Sequence, residues 1–140
     1  MYRKASLNDV KGIYSLMCDL EGTDLPFESF YAIYREQLNS AGHYCLICVH
    51  NEAVLAVLNL RFERQLHHCE RIAEIMEFVV DASCRNQGIG KEMLERASQI
   101  AKEHGCSQIE AACNQRRTDT HRFYLREGMN CSHYKFSRLL

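Results

Sequence analysis

The apolar run Ile72 to Val80 is followed by Arg85-Asn86-Gln87-Gly88-Ile89-Gly90-Lys91, and Ile89 to His104 then carries helical spacing. No other succession in the chain restricts its folding as much. A strand that passes through a glycine turn into a helix leaves several backbone N–H groups unpaired at one point, with the positive end of the helix dipole behind them. Such a point binds phosphate. Gly88 and Gly90 allow backbone conformations and ligand approach that a Cβ forbids, and Arg85 and Lys91 supply charge for phosphate oxygens. The spacing is neither that of a Walker loop, which needs Gly-Lys-Ser/Thr, nor the full dinucleotide fingerprint, which needs a third glycine. A turn whose glycines serve only the backbone is the competing account. Gln108 to Cys113 reads as the next strand, so the strand–helix–strand unit calls for parallel pairing.

Upstream, the pattern is different. Met1 to Ala5 reads as a short strand, and Ser6 with Asp9 reads as a capping box for a helix from Leu7 to about Leu20. Pro26 suits the first turn of a second helix running to about Asn39, on which Phe27, Phe30, Tyr31, Tyr34 and Leu38 recur at helical spacing. That stripe is either core or the roof of a pocket. Tyr44 to His50 and Val54 to Phe62 read as a hairpin across Asn51-Glu52-Ala53. Thr118 to Arg126 reads as a short helix closed by Gly128, and the tail Ser132 to Leu140 alternates as a final strand does. The expected fold is α/β (α+β): one domain, 1-140, with a mixed, mostly antiparallel central sheet flanked by helices.

Composition removes several classes of function. A net charge of −1 over 140 residues offers no basic field to recruit nucleic acid. The longest apolar run, Ala53 to Leu58, is far short of a membrane span, and no signal-peptide core opens the chain, so a cytoplasmic protein without a membrane partner is expected. Most of the eight cysteines sit among aliphatics and read as reduced core thiols. Cys45 and Cys48 form a C-x-x-C with no second pair at zinc-finger spacing, so no metal is assigned there.

Two clusters carry candidate chemistry. Glu74 and Glu77 lie inside an apolar strand, where carboxylates are costly unless they have a partner or a task, and both are candidates for acid–base work. Regular alternation puts them on opposite faces, and a bulge would alter that count. The second cluster, Arg64, His67, His68 and Arg71, falls in the segment Glu63 to Arg71, read as a loop linking two strands. It is a solvated loop or an anion site, gripping an oxyanion directly or through a divalent metal held by the histidines.

Taken together, Phe78-Val79-Val80, the loop Arg85 to Lys91, Asn114, and Phe123-Tyr124 ahead of Glu127-Gly128-Met129 resemble, in order, the motifs of the GNAT superfamily of N-acetyltransferases. The resemblance implies an acetyl-CoA cosubstrate held by Phe78, Val79, Val80, the loop residues Arg85, Asn86, Gln87, Gly88, Ile89, Gly90 and Lys91, and Asn114. It also implies Tyr124 as the acid for the departing thiolate and a backbone N–H near Val79 or Val80 on the thioester carbonyl. The family's pattern favours Glu74 over Glu77 as the base. Gln65-Leu66-His67-His68, Glu74 to Val80, His121 to Gly128 and Ser132-His133-Tyr134 resemble more narrowly the bacterial aminoalkylphosphonate N-acetyltransferases. That resemblance implies a homodimer acetylating small aminophosphonates, with Arg64, His67, His68 and Arg71 on the phosphonate. The competing functions are acetylation of a polyamine or a protein N-terminus, and a non-catalytic acyl-CoA-binding domain.

Overall fold

The computed structural model describes all residues from Met1 to Leu140. The elements run β1 (Tyr2–Lys4), α1 (Val10–Glu21), α2 (Phe27–Leu38), β2 (His43–His50), β3 (Ala53–Gln65), β4 (Glu70–Val80), α3 (Ile89–Glu103), β5 (Cys106–Ala111) and α4 (Thr118–Arg126), with 3-10 turns at Leu7–Asp9 and Ala82–Cys84. Two compact units are distinguished, Met1–Glu110 and Ala111–Leu140.

In the first unit the strands lie in the order β1-β2-β3-β4-β5. Pairing from β1 to β4 is antiparallel, and β5 joins after the α3 crossover to complete a mixed sheet. The entry to α1 is held by Asp9, whose carboxylate accepts the Ser6 backbone N–H at 2.7 Å and both guanidinium nitrogens of Arg3 at 2.8 and 2.9 Å. These charge-assisted bonds hold the Asp9 carboxyl down at about 2. Gly22, at φ 72°, then ends α1.

The β2–β3 turn is two residues long. Asn51 and Glu52 take φ of 48° and 66°, the primed-turn geometry that matches the right-handed twist of a hairpin, and Ala53 already belongs to β3. One sheet face packs Ile47, Val57 and Val79 against Ile13, Leu16 and Met17 of α1 and Tyr34 of α2. On α3, Met93, Leu94, Ala97 and Ala101 form the buried stripe.

Three expectations change. Glu63 to Arg71 is not a connecting loop, because β3 continues to Gln65 and β4 starts at Glu70, with Arg64 directly opposite Arg71. Both strands are polar there because the end of the ribbon is wet on its faces, which hides the alternation that marks a half-buried strand. The strand expected at Gln108 to Cys113 begins earlier, at Cys106, immediately after Gly105 at φ 77°. In the second unit, α4 falls where the sequence places it and Gly128 follows at φ 88°, but Ser132 to Leu140 forms no strand. Tyr134 and Phe136 are 84% and 91% exposed. Alternation makes a strand only where a neighbouring edge takes up its N–H and C=O groups, and the tail pairs with none.

Candidate active site

Met76 is the residue on which the site turns. Ile75 pairs with Leu60 and Glu77 with Asn59, so Met76 has no opposite number and forms a β-bulge. Asn59 and Arg61 share a face of β3 because they are two residues apart, and their partners Glu77 and Glu74 are brought to that same face by the bulge. The two carboxylates that regular alternation would separate therefore stand side by side.

They stand in different surroundings. Glu74 Oε2 takes the Arg61 Nη2 at 2.7 Å, with Glu63 Oε1 at 3.4 Å from the same nitrogen. Arg61 Nε is buried without a hydrogen-bond partner. Glu77 instead lines a cavity of about 300 Å³ between the sheet and the α1–α2 pair. Ile13, Met17 and Leu20 from α1 and Phe30, Ile33 and Leu38 from α2 give that cavity an apolar wall. Its polar floor is Asn59, Gln37, His43, Cys45 and Glu77, with Glu21 at the side. Asn59 Nδ2 donates to Glu77 Oε2 at 3.0 Å and to Gln37 Oε1 at 2.9 Å. An amide this deep in a strand, left without partners, would cost about 1–3 kcal/mol.

Burial raises the Glu77 carboxyl above the ordinary carboxylate value and Glu21 adds to the rise, while the Asn59 hydrogen bond and His43 act against it. A half-buried carboxylate with raised proton affinity is what a general base for an ammonium requires. The nearby Cys45 thiol is pushed up to about 12, chiefly by burial, and stays protonated. It is no nucleophile.

At the loop, Asp81 Oδ1 accepts the Ser83 N–H at 2.9 Å and the Ser83 hydroxyl at 2.6 Å, and Arg85 Nε reaches the Val80 carbonyl at 3.3 Å. Asn86 at φ 62° and Gly88 at φ 83° swing the chain into α3. No side chain caps that helix, and Glu92 is the first N–H to return to the Gly88 carbonyl, at 3.1 Å. The N–H groups of Ile89, Gly90 and Lys91 are thus left for an anion. A second, wetter hollow beside the loop is bounded by Val79, Val80, Ala82 and Arg85 with Cys18 and Asp19 of α1.

In the second unit, burial pushes the Tyr124 hydroxyl up to about 12, Cys113 adds to this, and Arg117 opposes it. A phenol so placed stays protonated and can donate to a thiolate. Asn114 is committed to the entry of α4: its Oδ1 accepts the Arg116 N–H at 2.9 Å and its carbonyl accepts from Arg117 N–H at 3.0 Å.

The basic cluster is placed elsewhere. Arg71 donates to the His104 carbonyl at the end of α3 at 2.8 Å and lies over the Phe62 ring at 5.2 Å. Its task is to hold the helix terminus. Arg64 shares the strand face of Phe62, opposite to that of Asn59 and Arg61. His67 and His68 pack ring to ring at 4.1 Å on the exposed β3–β4 turn, where Gln65 Oε1 is 2.6 Å from His68 Nδ1. No group of three or more His, Cys, Asp or Glu side chains converges to hold a metal ion. Along β4, about 20 Å of strand, at roughly 3.3 Å per residue, separates this turn from Glu77.

Asn59, Gln37, His43 and Arg61 belong to no sequence motif. Asn59 interrupts the apolar run Ala53 to Leu60 just as the glutamates interrupt theirs, and the same cost argument finds it.

An uncapped helix start after a sheet strand, and a carboxylate in a cavity under two helices, are what an acyl-CoA-dependent transferase would need. The sequence profile of the acetyltransferase (GNAT) family matches residues 10–129, and the chain belongs to that family. GNAT enzymes use acetyl-CoA as cosubstrate. Aminoalkylphosphonate N-acetyltransferase of Salmonella typhimurium is 33% identical over 138 residues, covering 99% of this chain and 90% of that protein. Among solved structures, a transcriptional regulator from Bacillus halodurans superposes with a TM-score of 0.92 at 23% identity, over 100% of this chain and 99% of the other. AAC(6')-Iy in complex with the bisubstrate analogue CoA-S-monomethyl-acetylneamine gives 0.88 at 14% identity, over 100% and 97%. At such identities the two structures speak for the fold. No helix is long and apolar enough to cross a membrane.

Proposed function

We propose that the chain acetylates the primary amine of a small aminoalkylphosphonate, such as aminoethyl- or aminomethylphosphonate, by direct transfer from acetyl-CoA, with Glu77 as the base. The observation that carries this reading is the Glu77 carboxylate, desolvated on the cavity floor with one oxygen held by Asn59. The acceptor ammonium gives a proton to Glu77, and the freed lone pair attacks the thioester carbonyl carbon. The carbon–sulfur bond breaks, the CoA thiolate takes a proton from the Tyr124 hydroxyl, the acid by family resemblance, and the second proton that the nitrogen sheds returns to the tyrosinate through solvent. Backbone N–H groups at Val79 or Val80 would polarise the carbonyl, Phe78 to Val80 would run beside the pantetheine arm, and Arg85 to Lys91 would hold the pyrophosphate, with Asn114 a further contact.

The acceptor class is supported by the Salmonella relative and by a basic pair on the correct face. Arg61 pairs across the strands with His43, which lines the cavity, and Arg61 lies two residues from Asn59. These two side chains, unlike Arg64, His67, His68 and Arg71, share the sheet face of Asn59 and Glu77, which supports assigning the phosphonate to them. A second reading rests on the same cavity, whose apolar wall and two carboxylates, Glu21 and Glu77, suit a cationic amine without phosphonate.

Release of CoA, followed with aminoethylphosphonate, ethylamine and spermidine in parallel, separates these. The first reading expects kcat/KM for aminoethylphosphonate at least about tenfold above ethylamine, the effect of one good charged contact. Equal values, or a preference for spermidine, would move the assignment to the second reading. Binding of acetyl-CoA with no release for any amine would leave a non-catalytic acyl-CoA-binding domain. The homodimer implied by the family resemblance is checked by sedimentation equilibrium.

A further inference from the structure

Tyrosines and cysteines aside, Asn59 is the one buried polar residue of the chain, at 7% exposure. Its two amide protons are both committed, one to Glu77 Oε2 at 3.0 Å and one to Gln37 Oε1 at 2.9 Å. An ionised carboxylate only accepts, so Asn59 must turn its NH2 toward Glu77 and Gln37 must turn its oxygen toward Asn59. Flipping the Asn59 amide would set its oxygen against two acceptors at once. The three side chains, from α2, β3 and β4, thus fix one another's orientation.

One consequence bears on the reaction. Glu77 Oε2 already accepts an N–H, which lowers its basicity and makes Oε1 the better oxygen for a proton arriving on this carboxyl. From this geometry we infer that Asn59, itself oriented by Gln37, is the positioning residue that fixes which oxygen of Glu77 takes the acceptor's proton. The inference rests on the reading of Glu77 as the base.

Other groups near the carboxylate are distributed over every element around it. Glu21 comes from α1, Lys4 of β1 lines the cavity, His43 and Cys45 come from β2, and the Arg61–Glu74 ion pair stands one register step along the same face. None of these donates to Glu77, whereas Asn59 does. His43 Nδ1 is instead within 3.0 Å of Ser40 Oγ. The rest of the cavity wall that α2 provides is apolar or Tyr34.

The test reads the carboxyl itself, so it needs no knowledge of the acceptor. Glutamate side-chain carboxyls are labelled with carbon-13 in the whole chain, and the Glu77 signal is identified by its loss in Glu77→Gln. Asn59→Leu keeps the volume and removes the donor, and the Glu77 titration midpoint should rise by about one pH unit or more, in line with the loss of a hydrogen bond to the charged form. Gln37→Met, which frees the Asn59 amide without removing it, should give a smaller rise in the same direction. Asn59→Asp serves if Asn59→Leu does not fold. It places a second carboxyl 3 Å away, so the two should titrate as a coupled pair with one step displaced upward.

In turnover, Asn59→Leu should lower kcat while acetyl-CoA affinity is unchanged, and the acid limb of the pH profile should follow the shifted midpoint. A Glu77 midpoint that stays put in Asn59→Leu and in Gln37→Met would overturn the inference. Loss of activity in Glu77→Gln alongside that result would leave the base assignment standing. Full activity in Glu77→Gln would instead remove the base assignment and, with it, the catalytic sense of the inference.

Discussion

Two stretches of the β3–β4 ribbon carry unusual polar content, and the fold treats them in opposite ways. At the bulge, Asn59, Arg61, Glu74 and Glu77 are gathered on one face, hydrogen-bonded to one another or to α2, and Glu77 lines a cavity. At the tip, Arg64 and Arg71 lie opposite each other, His67 is exposed on the turn, and Arg71 is spent on the end of α3. Desolvation separates the two. Charge in water costs nothing and so carries little information, whereas a carboxylate or amide inside a strand is retained against a cost and therefore has a partner or a task.

The largest effect expected from this contrast is that of Glu77→Gln. It should lower kcat/KM by roughly two to four orders of magnitude, the usual worth of a general base, with acetyl-CoA affinity unchanged in direct binding. Arg61→Met should be smaller and selective, raising KM for aminoethylphosphonate by about tenfold while leaving that for ethylamine near its original value. Double replacement of His67 and His68 by Ala should be the smallest, within about twofold on every kinetic constant, as expected for turn side chains away from the site. A larger rise in acceptor KM from the histidine pair than from Arg61 would reverse the contrast.

The same contrast has a signature in stability. The Glu77 carboxyl is raised by burial, so the native state holds that proton more tightly than the unfolded chain, and stability falls as pH rises from the ordinary carboxylate value through the raised one. Asp9, held at about 2, works the other way: its contribution is present above the ordinary carboxylate value and is lost as pH falls through about 2. Urea midpoints measured against pH should show the first slope in the parent and not in Glu77→Gln, which should be the more stable protein near neutrality. Parallel curves for the two would mean that Glu77 is not desolvated.

Much of the architecture is legible from local signals. The turn Arg85 to Lys91, the α1 entry at Ser6 and Asp9, and α4 from Thr118 to Arg126 each follow from glycine placement, capping or periodicity, which depend on near neighbours only. The bulge at Met76 is not legible in that way. It depends on how two strands meet, and one extra residue changes the face of every side chain beyond it. Counting along β4 therefore cannot decide whether Glu74 and Glu77 share a face, and it cannot see that Arg61 neutralises one of them. The tail fails for the converse reason: alternation from Ser132 is present, and the edge it would need is not.

Glu77 lines the cavity and Glu74 does not, so on the proposed function the bulge gives the acceptor's proton to Glu77. Single-turnover acetyl transfer at saturating acetyl-CoA, measured across pH for the parent, Glu74→Gln and Glu77→Gln, tests it most directly. Glu74→Gln should keep the parent's acid limb and lose at most about tenfold in rate, as for loss of a partly exposed ion-pair partner, whereas Glu77→Gln should lose the limb and most of the rate. An acid limb that survives in Glu77→Gln and vanishes in Glu74→Gln would contradict it.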